Sequence, residues 1–185
     1  EAGLPPKWCQ ALVTEGREVS EALVTDSRVA FFSFIGSARV GWHLRAKLAP
    51  GARCALEHGG AAPVIVASDA DVEQIIPVLL KGGFYHAGQV CVSVQRVFAD
   101  QGMARDLAER MADGASRLVV GDPTEAATEV GPLIRPGEVQ RVHEWVEEAR
   151  LAGAEILCGG ESISETCYAP TVIYDPPPDA KVSTM

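Results

Sequence analysis

No Cys-x-x-Cys pair occurs in this chain, and none of its five cysteines, Cys9, Cys54, Cys91, Cys158 and Cys167, falls at a zinc-ligand spacing with histidine. An odd number of scattered thiols makes a reduced compartment without a structural metal the simpler reading. Basic residues are also scarce: 16 Lys and Arg stand against 25 Asp and Glu, a net charge of −9. Phosphate backbones are bound through clustered cations, so nucleic acid is excluded as an expected partner. No apolar run approaches the roughly 20 residues that cross a bilayer. The opening Glu1-Ala2-Gly3 lacks the basic start and apolar core of a signal peptide. A cytoplasmic protein with no membrane partner is therefore expected. Repeats and low-complexity tracts are absent too. What remains, 185 residues with 47% hydrophobic and 22% charged side chains, has the composition of an ordinary folded protein with one good core or two small ones.

Hydrophobic periodicity predicts an α/β chain. Strands are expected at residues 8–14, 29–34 and 53–57, with helices at 18–24 and 37–48 between them. Short polar or glycine-bearing turns after the strands favour parallel pairing under covering helices. The first 58 residues thus read as part of a dinucleotide-binding, Rossmann-like half. The alternation restarts after Gly59-Gly60: a strand at 63–67, a helix at 71–85 begun by an Asp71 cap, and a strand at 95–99. Amphipathic helices follow at 103–118 and 138–153, the second with Val139, Val142, Val146 and Ala149 on one stripe. Residues 155–158 and 171–174 are further strands, and Pro176-Pro177-Pro178 should form an extended, exposed connection. This gives two domains, 1–58 and 59–185. Cys9 and Cys54, each in an apolar strand-like run, read as small buried hydrophobes.

One cysteine has a different setting. Cys91 lies in Gly88-Gln89-Val90-Cys91-Val92-Ser93-Val94-Gln95-Arg96, a glycine-containing loop between a helical run and a strand. A thiolate is a strong nucleophile, and such a loop can present it if nearby amides or cations lower its pKa. Upstream, Glu57-His58-Gly59-Gly60 places a carboxylate at a strand end, 91 − 57 = 34 positions before the thiol. Glu57 could act as a base on water or could be a solvated strand-end carboxylate. Gly36-Ser37, at a strand-to-helix turn, could offer amides and a hydroxyl to a pyrophosphate, or Ser37 could simply cap the helix. Arg96 reads as one half of a structural ion pair.

Together these motifs resemble the aldehyde dehydrogenase family, whose G-Q-x-C loop and E-L-G-G turn have the same separation. The likeness extends along nearly the whole chain. Phe34-Ile35-Gly36-Ser37-Ala38-Arg39-Val40-Gly41 looks like the family's F-T-G-S-x-x-V-G. Val120-Gly121-Asp122-Pro123 with Thr128 and Gly131-Pro132 is similar to its V-G-D-P…T…G-P, and Ala169-Pro170-Thr171-Val172 to its x-P-T-V. His58 stands where the family usually has Leu, and His86 where it usually has Asn; both read as packed or solvent-touching residues rather than acid/base groups.

The resemblance implies a partial cofactor-binding half followed by most of the catalytic domain, a fragment lacking the first part of the cofactor domain and the segment expected just after Met185. It implies oxidation of a small aldehyde to a carboxylate with NAD or NADP. Cys91 would be the nucleophile and Glu57 the base, with Gly36, Ser37, Val40 and His58 on the cofactor side. A parent homodimer or homotetramer follows from the same likeness, and the loop looks closest to lactaldehyde- or semialdehyde-type members. Two other readings are an acylating dehydrogenase that releases its thioester to coenzyme A, and an inactive structural or oligomerisation module.

Overall fold

The computed structural model describes residues 3–184. The chain divides into two compact units, Glu1–Gly59 and Gly60–Met185. The architecture is α/β throughout. No helix among the described residues is long and apolar enough to cross a membrane.

In the first unit, helix α1 (Arg17–Thr25) precedes strand β1 (Phe31–Gly36), helix α2 (Ala38–Arg45) and strand β2 (Arg53–His58). β1 and β2 pair in parallel, Phe31 opposite Arg53 through to Gly36 opposite His58. The strands alternate between half-buried and exposed side chains. Phe32, Phe34, Cys54 and Leu56 point to the covered face, while Ile35 is 84% exposed on the other. The sheet is thus covered on one apolar face, while the other mixes Phe31 and Ile35 with Ser33, Arg53 and Glu57.

The strand expected at 8–14 does not form. Residues Pro6–Trp8 make a single 3-10 turn, and 9–14 are irregular, with Leu12, Val13 and Cys9 exposed. A strand exists only through its ladder, and none of the three two-stranded sheets among the described residues includes this run. The expectation of a buried Cys9 fails with the strand; Cys54 is half-buried on β2.

The second unit starts with strand β3 (Ala62–Val66), helix α3 (Val72–Phe84) and strand β4 (Val94–Ala99), a parallel pair with its crossover helix. The Asp71 carboxylate accepts from the Gln74 N–H at 3.3 Å, so the expected cap is present. Val66 and Leu79 meet Leu107 and Met111 of helix α4 (Ala104–Ser116) to form the first core cluster. Helix α5 (Pro136–Leu151) buries Val139 and Val146 against Tyr168, with Val142 beside them, so the apolar stripe is the packing face. Ala149 is buried with Ala154 and Ala180. Strands β5 (Glu155–Cys158) and β6 (Val172–Tyr174) pair antiparallel, and the short helix α6 (Lys181–Thr184) follows. The three prolines before it are less exposed than their run suggests: Pro176 and Pro177 are half-buried and only Pro178 is exposed.

Two of the recognised motifs prove to be fasteners. Between α4 and α5, the Asp122 carboxylate accepts from both the Thr124 N–H and hydroxyl, at 2.8 and 2.7 Å, and the Thr128 hydroxyl donates to the Asp122 carbonyl at 2.6 Å. Those donors hold the Asp122 carboxyl below its ordinary range. The loop ends are joined where Gly121 N–H donates to Val130 O. Pro170-Thr171 is stitched to the end of β5: the Thr171 hydroxyl accepts from Gly160 N–H at 3.0 Å and donates to Ala169 O at 2.7 Å. Gly159, at φ +69°, lies so close to Pro170 that a Cβ would run into its carbonyl oxygen. Gly159→Ala is therefore expected to lower unfolding stability by about 2 kcal/mol or more, since left-handed strain alone costs about 1–2 kcal/mol. Gly137→Ala, within α5 and with nothing within 4 Å of its Cβ, should not lower it and is expected to raise it by up to about 1 kcal/mol. Urea unfolding of the two variants checks both.

Candidate active site

Cys91 sits at the second position of a four-residue turn closed by the Ser93 N–H donating to Val90 O at 3.0 Å, and its thiol is exposed. The turn is flanked by close approaches at three glycines, one of which leaves no room for a Cβ. At the end of α3, a Cβ on Gly82 would lie 3.0 Å from the Val94 side chain, and one on Gly83 3.3 Å from the Val94 carbonyl. A Cβ on Gly60 would lie 2.8 Å from the Cys91 carbonyl oxygen. The last glycine of the Glu57-His58-Gly59-Gly60 motif therefore abuts the cysteine's own backbone.

Between α3 and the turn, the backbone is left-handed at three successive residues: His86 (φ 50°), Ala87 (φ 53°) and Gly88 (φ 71°). For non-glycine residues this conformation costs roughly 1–2 kcal/mol each, and Asn tolerates it better than most. The His86 ring lies beside Tyr85, centroids 4.9 Å apart.

Gln89 spans the gap from this strained turn to the segment before α5. Its Nε2 donates to His86 O at 3.1 Å and to Pro132 O at 3.3 Å, and its Oε1 accepts from Ile134 N–H at 2.9 Å. Nothing in composition or periodicity singles Gln89 out; its place in the G-Q-x-C motif was the available signal. Ser93 is fully buried, its hydroxyl without a protein partner. Arg96 is exposed on β4 and joins no ion pair among the described residues, so its expected structural pairing is not made.

In the first unit, the β1–β2 register sets Glu57 opposite Ile35 and His58 opposite Gly36, at the carboxyl ends of both strands. Ligands of open α/β sheets bind at such ends. Glu57 is exposed there. Ser37 occupies the N-cap position of α2, yet its side chain makes no capping bond, which leaves the hydroxyl free. Gly36 fits under Phe34, whose ring tip would stand 2.6 Å from any Cβ on it, and Val40 is half-buried one turn into α2. The His58 ring is turned against α2: it meets Trp42 edge-on, centroids 5.4 Å apart, and presses on Gly41, its Nε2 buried without a partner. A glycine-floored turn, an uncommitted hydroxyl and a helix N-terminus suit a phosphate-bearing dinucleotide.

Of the other thiols, Cys9 is also exposed, and Cys54, Cys158 and Cys167 are half-buried. Cys158 is half-buried, bonded to Pro170 O, and burial pushes its thiol above the ordinary range. No group of three or more His, Cys, Asp or Glu among the described residues could hold a metal.

His86→Gly, which removes the left-handed penalty, is expected to raise stability by about 1 kcal/mol, and His86→Val to lower it by at least as much. Thermal unfolding midpoints of the two variants measure this.

Comparison with known proteins places these features in context. A family model described as Aldehyde dehydrogenase family matches residues 1–184. The chain is 41% identical over 179 residues to betaine aldehyde dehydrogenase of Cereibacter sphaeroides, covering 95% of this chain and 37% of that protein. Among solved structures, the glyceraldehyde-3-phosphate dehydrogenase of Methanocaldococcus jannaschii complexed with NADP superposes with a TM-score of 0.81 at 36% identity, over 85% of this chain and 34% of that one. The betaine aldehyde dehydrogenase of Staphylococcus aureus in complex with NAD+ gives 0.85 at 27% identity, over 90% and 34%. The chain thus spans little more than a third of the length of the relatives it matches.

Proposed function

The chain belongs to the aldehyde dehydrogenase family, and from that premise we propose that the whole protein oxidises an aldehyde to a carboxylate with NAD or NADP, using Cys91 as nucleophile and Glu57 as general base. The observation that carries the reading is the setting of Cys91: an exposed thiol on a turn held by glycine contacts and by Gln89, inside the family's own motif.

The Cys91 thiolate adds to the aldehyde carbon, and the C=O electron pair moves to oxygen, giving a thiohemiacetal. The Cys91 backbone N–H would donate to that oxyanion. When bound, the nicotinamide supplies the acceptor for the hydride that leaves this carbon. Carbonyl reformation leaves an acyl group on Cys91 Sγ. Glu57 then takes a proton from water as it attacks the thioester carbon, and the C–S bond breaks to return the thiolate and release the carboxylic acid, which ionises. Gly36 and Ser37 would receive the dinucleotide's pyrophosphate, Val40 would wall its adenine side, and His58, its ring committed to α2, would contribute main chain. In this reading residues 1–58 are part of the cofactor-binding domain, residues 59–185 are most of the catalytic domain, and the whole protein is a soluble homodimer or homotetramer.

Release of the acyl group to coenzyme A is the competing chemistry. The carboxylate at position 57 favours water, because a base at that place activates it.

In the full-length protein, Cys91→Ala should abolish reduced-nicotinamide formation with every aldehyde. Glu57→Gln should preserve the first-turnover burst while steady turnover falls on the order of 10²-fold or more, the usual worth of a general base. Stopped-flow absorbance and identification of the product as carboxylate rather than acyl thioester decide these points; turnover by the Cys91→Ala variant overturns the assignment.

A further inference from the structure

Cys91 takes its place from a side chain that has no chemistry of its own in the reaction. The three residues ahead of the nucleophile turn are left-handed, two of them non-glycine, so the loop is held in a conformation the free backbone disfavours. Strain of this kind persists only where surrounding bonds fix it. The Gln89 amide supplies three. Two donors go to carbonyls on opposite sides, His86 O in the strained turn and Pro132 O in the segment before α5, and the acceptor takes Ile134 N–H. The far anchor is itself fixed: Leu133 N–H, between those two partners, donates to Thr166 O at 2.7 Å. Only a primary amide of this length offers one acceptor and two donors together. A carboxylate would set negative charge against two carbonyls, and a thioether would lose all three bonds.

We propose that Gln89 is a positioning residue for the Cys91 nucleophile, tying the left-handed turn to the 132–134 segment so that the thiol is presented in one geometry. The inference rests on the reading of Cys91 as the nucleophile. Misplacing a reacting group by about 1 Å costs on the order of 10²-fold in rate, whereas an ordinary surface hydrogen bond is worth little to stability. Its loss should therefore be read in the acyl-forming step.

The test uses the full-length protein with NAD or NADP and four aldehydes: betaine aldehyde, succinate semialdehyde, lactaldehyde and benzaldehyde. The aldehyde giving the largest pre-steady-state burst with the native protein is carried forward. Gln89→Met and Gln89→Glu should each slow that burst at least tenfold, with KM for the cofactor changed less than threefold and the burst amplitude retained. Variants that match the native burst rate, or that slow the burst no more than they raise the cofactor KM, overturn the positioning role. A native protein with no burst on any of the four, or a burst that survives Cys91→Ala, overturns the nucleophile reading first and this inference with it.

Discussion

The turn that carries Cys91 depends on how closely the chain can approach it at glycine positions. Gly82 and Gly83 bring the end of α3 onto Val94, and Gly60 presses on the carbonyl of Cys91 itself. A methyl group at Gly60 would have to displace main chain, which cannot swing aside as a flexible side chain can. These contacts close the second unit around the turn, and the buried Ser93 that follows pins its exit. Cys91 and Val92 are exposed at the tip of the turn, between half-buried Val90 and fully buried Ser93.

Within that constraint, the motifs divide by purpose. Val120-Gly121-Asp122-Pro123 with Thr128 satisfies its own loop, and Pro170-Thr171 fastens β5 to β6. Their polar atoms are consumed in local hydrogen bonds, so little is left to offer a ligand. The Gly36-Ser37 turn differs, because its hydroxyl stays uncommitted at a helix N-terminus. A motif's chemistry is visible in which of its donors remain unspent.

Much of the architecture was legible in the sequence because its signals are local. The Asp71 cap, the α5 stripe and the apolar runs of β3 and β4 each state a period or an end, and the elements lie within a few residues of their expected bounds. Residues 8–14 misled because alternating apolar residues describe a strand's faces but not its neighbour. Cys91 was legible through its spaced partner motif. The left-handed run at His86 and Ala87 was not, since neither residue type requires positive φ, and two of Gln89's three bonds depend on residues more than 40 positions away. Likewise, His58 could be recognised as unusual, but its packing on Gly41 requires knowing that α2 folds back over β2.

The β1–β2 ladder has a further consequence for how this region can change over time. Because Gly36 and His58 are paired at the end of a six-residue parallel register, the Gly36-Ser37 turn and the Glu57 carboxylate are spaced by the sheet and not by the stretch of chain between them. The connection around Ala49–Ala52, exposed at Pro50 and Gly51 and joined by a single turn bond, can gain or lose residues at little entropic penalty while that spacing stays constant. Length variation there is expected to be neutral for chemistry, so it is the place where homologous chains can drift apart and where a tag or a small inserted domain can be carried.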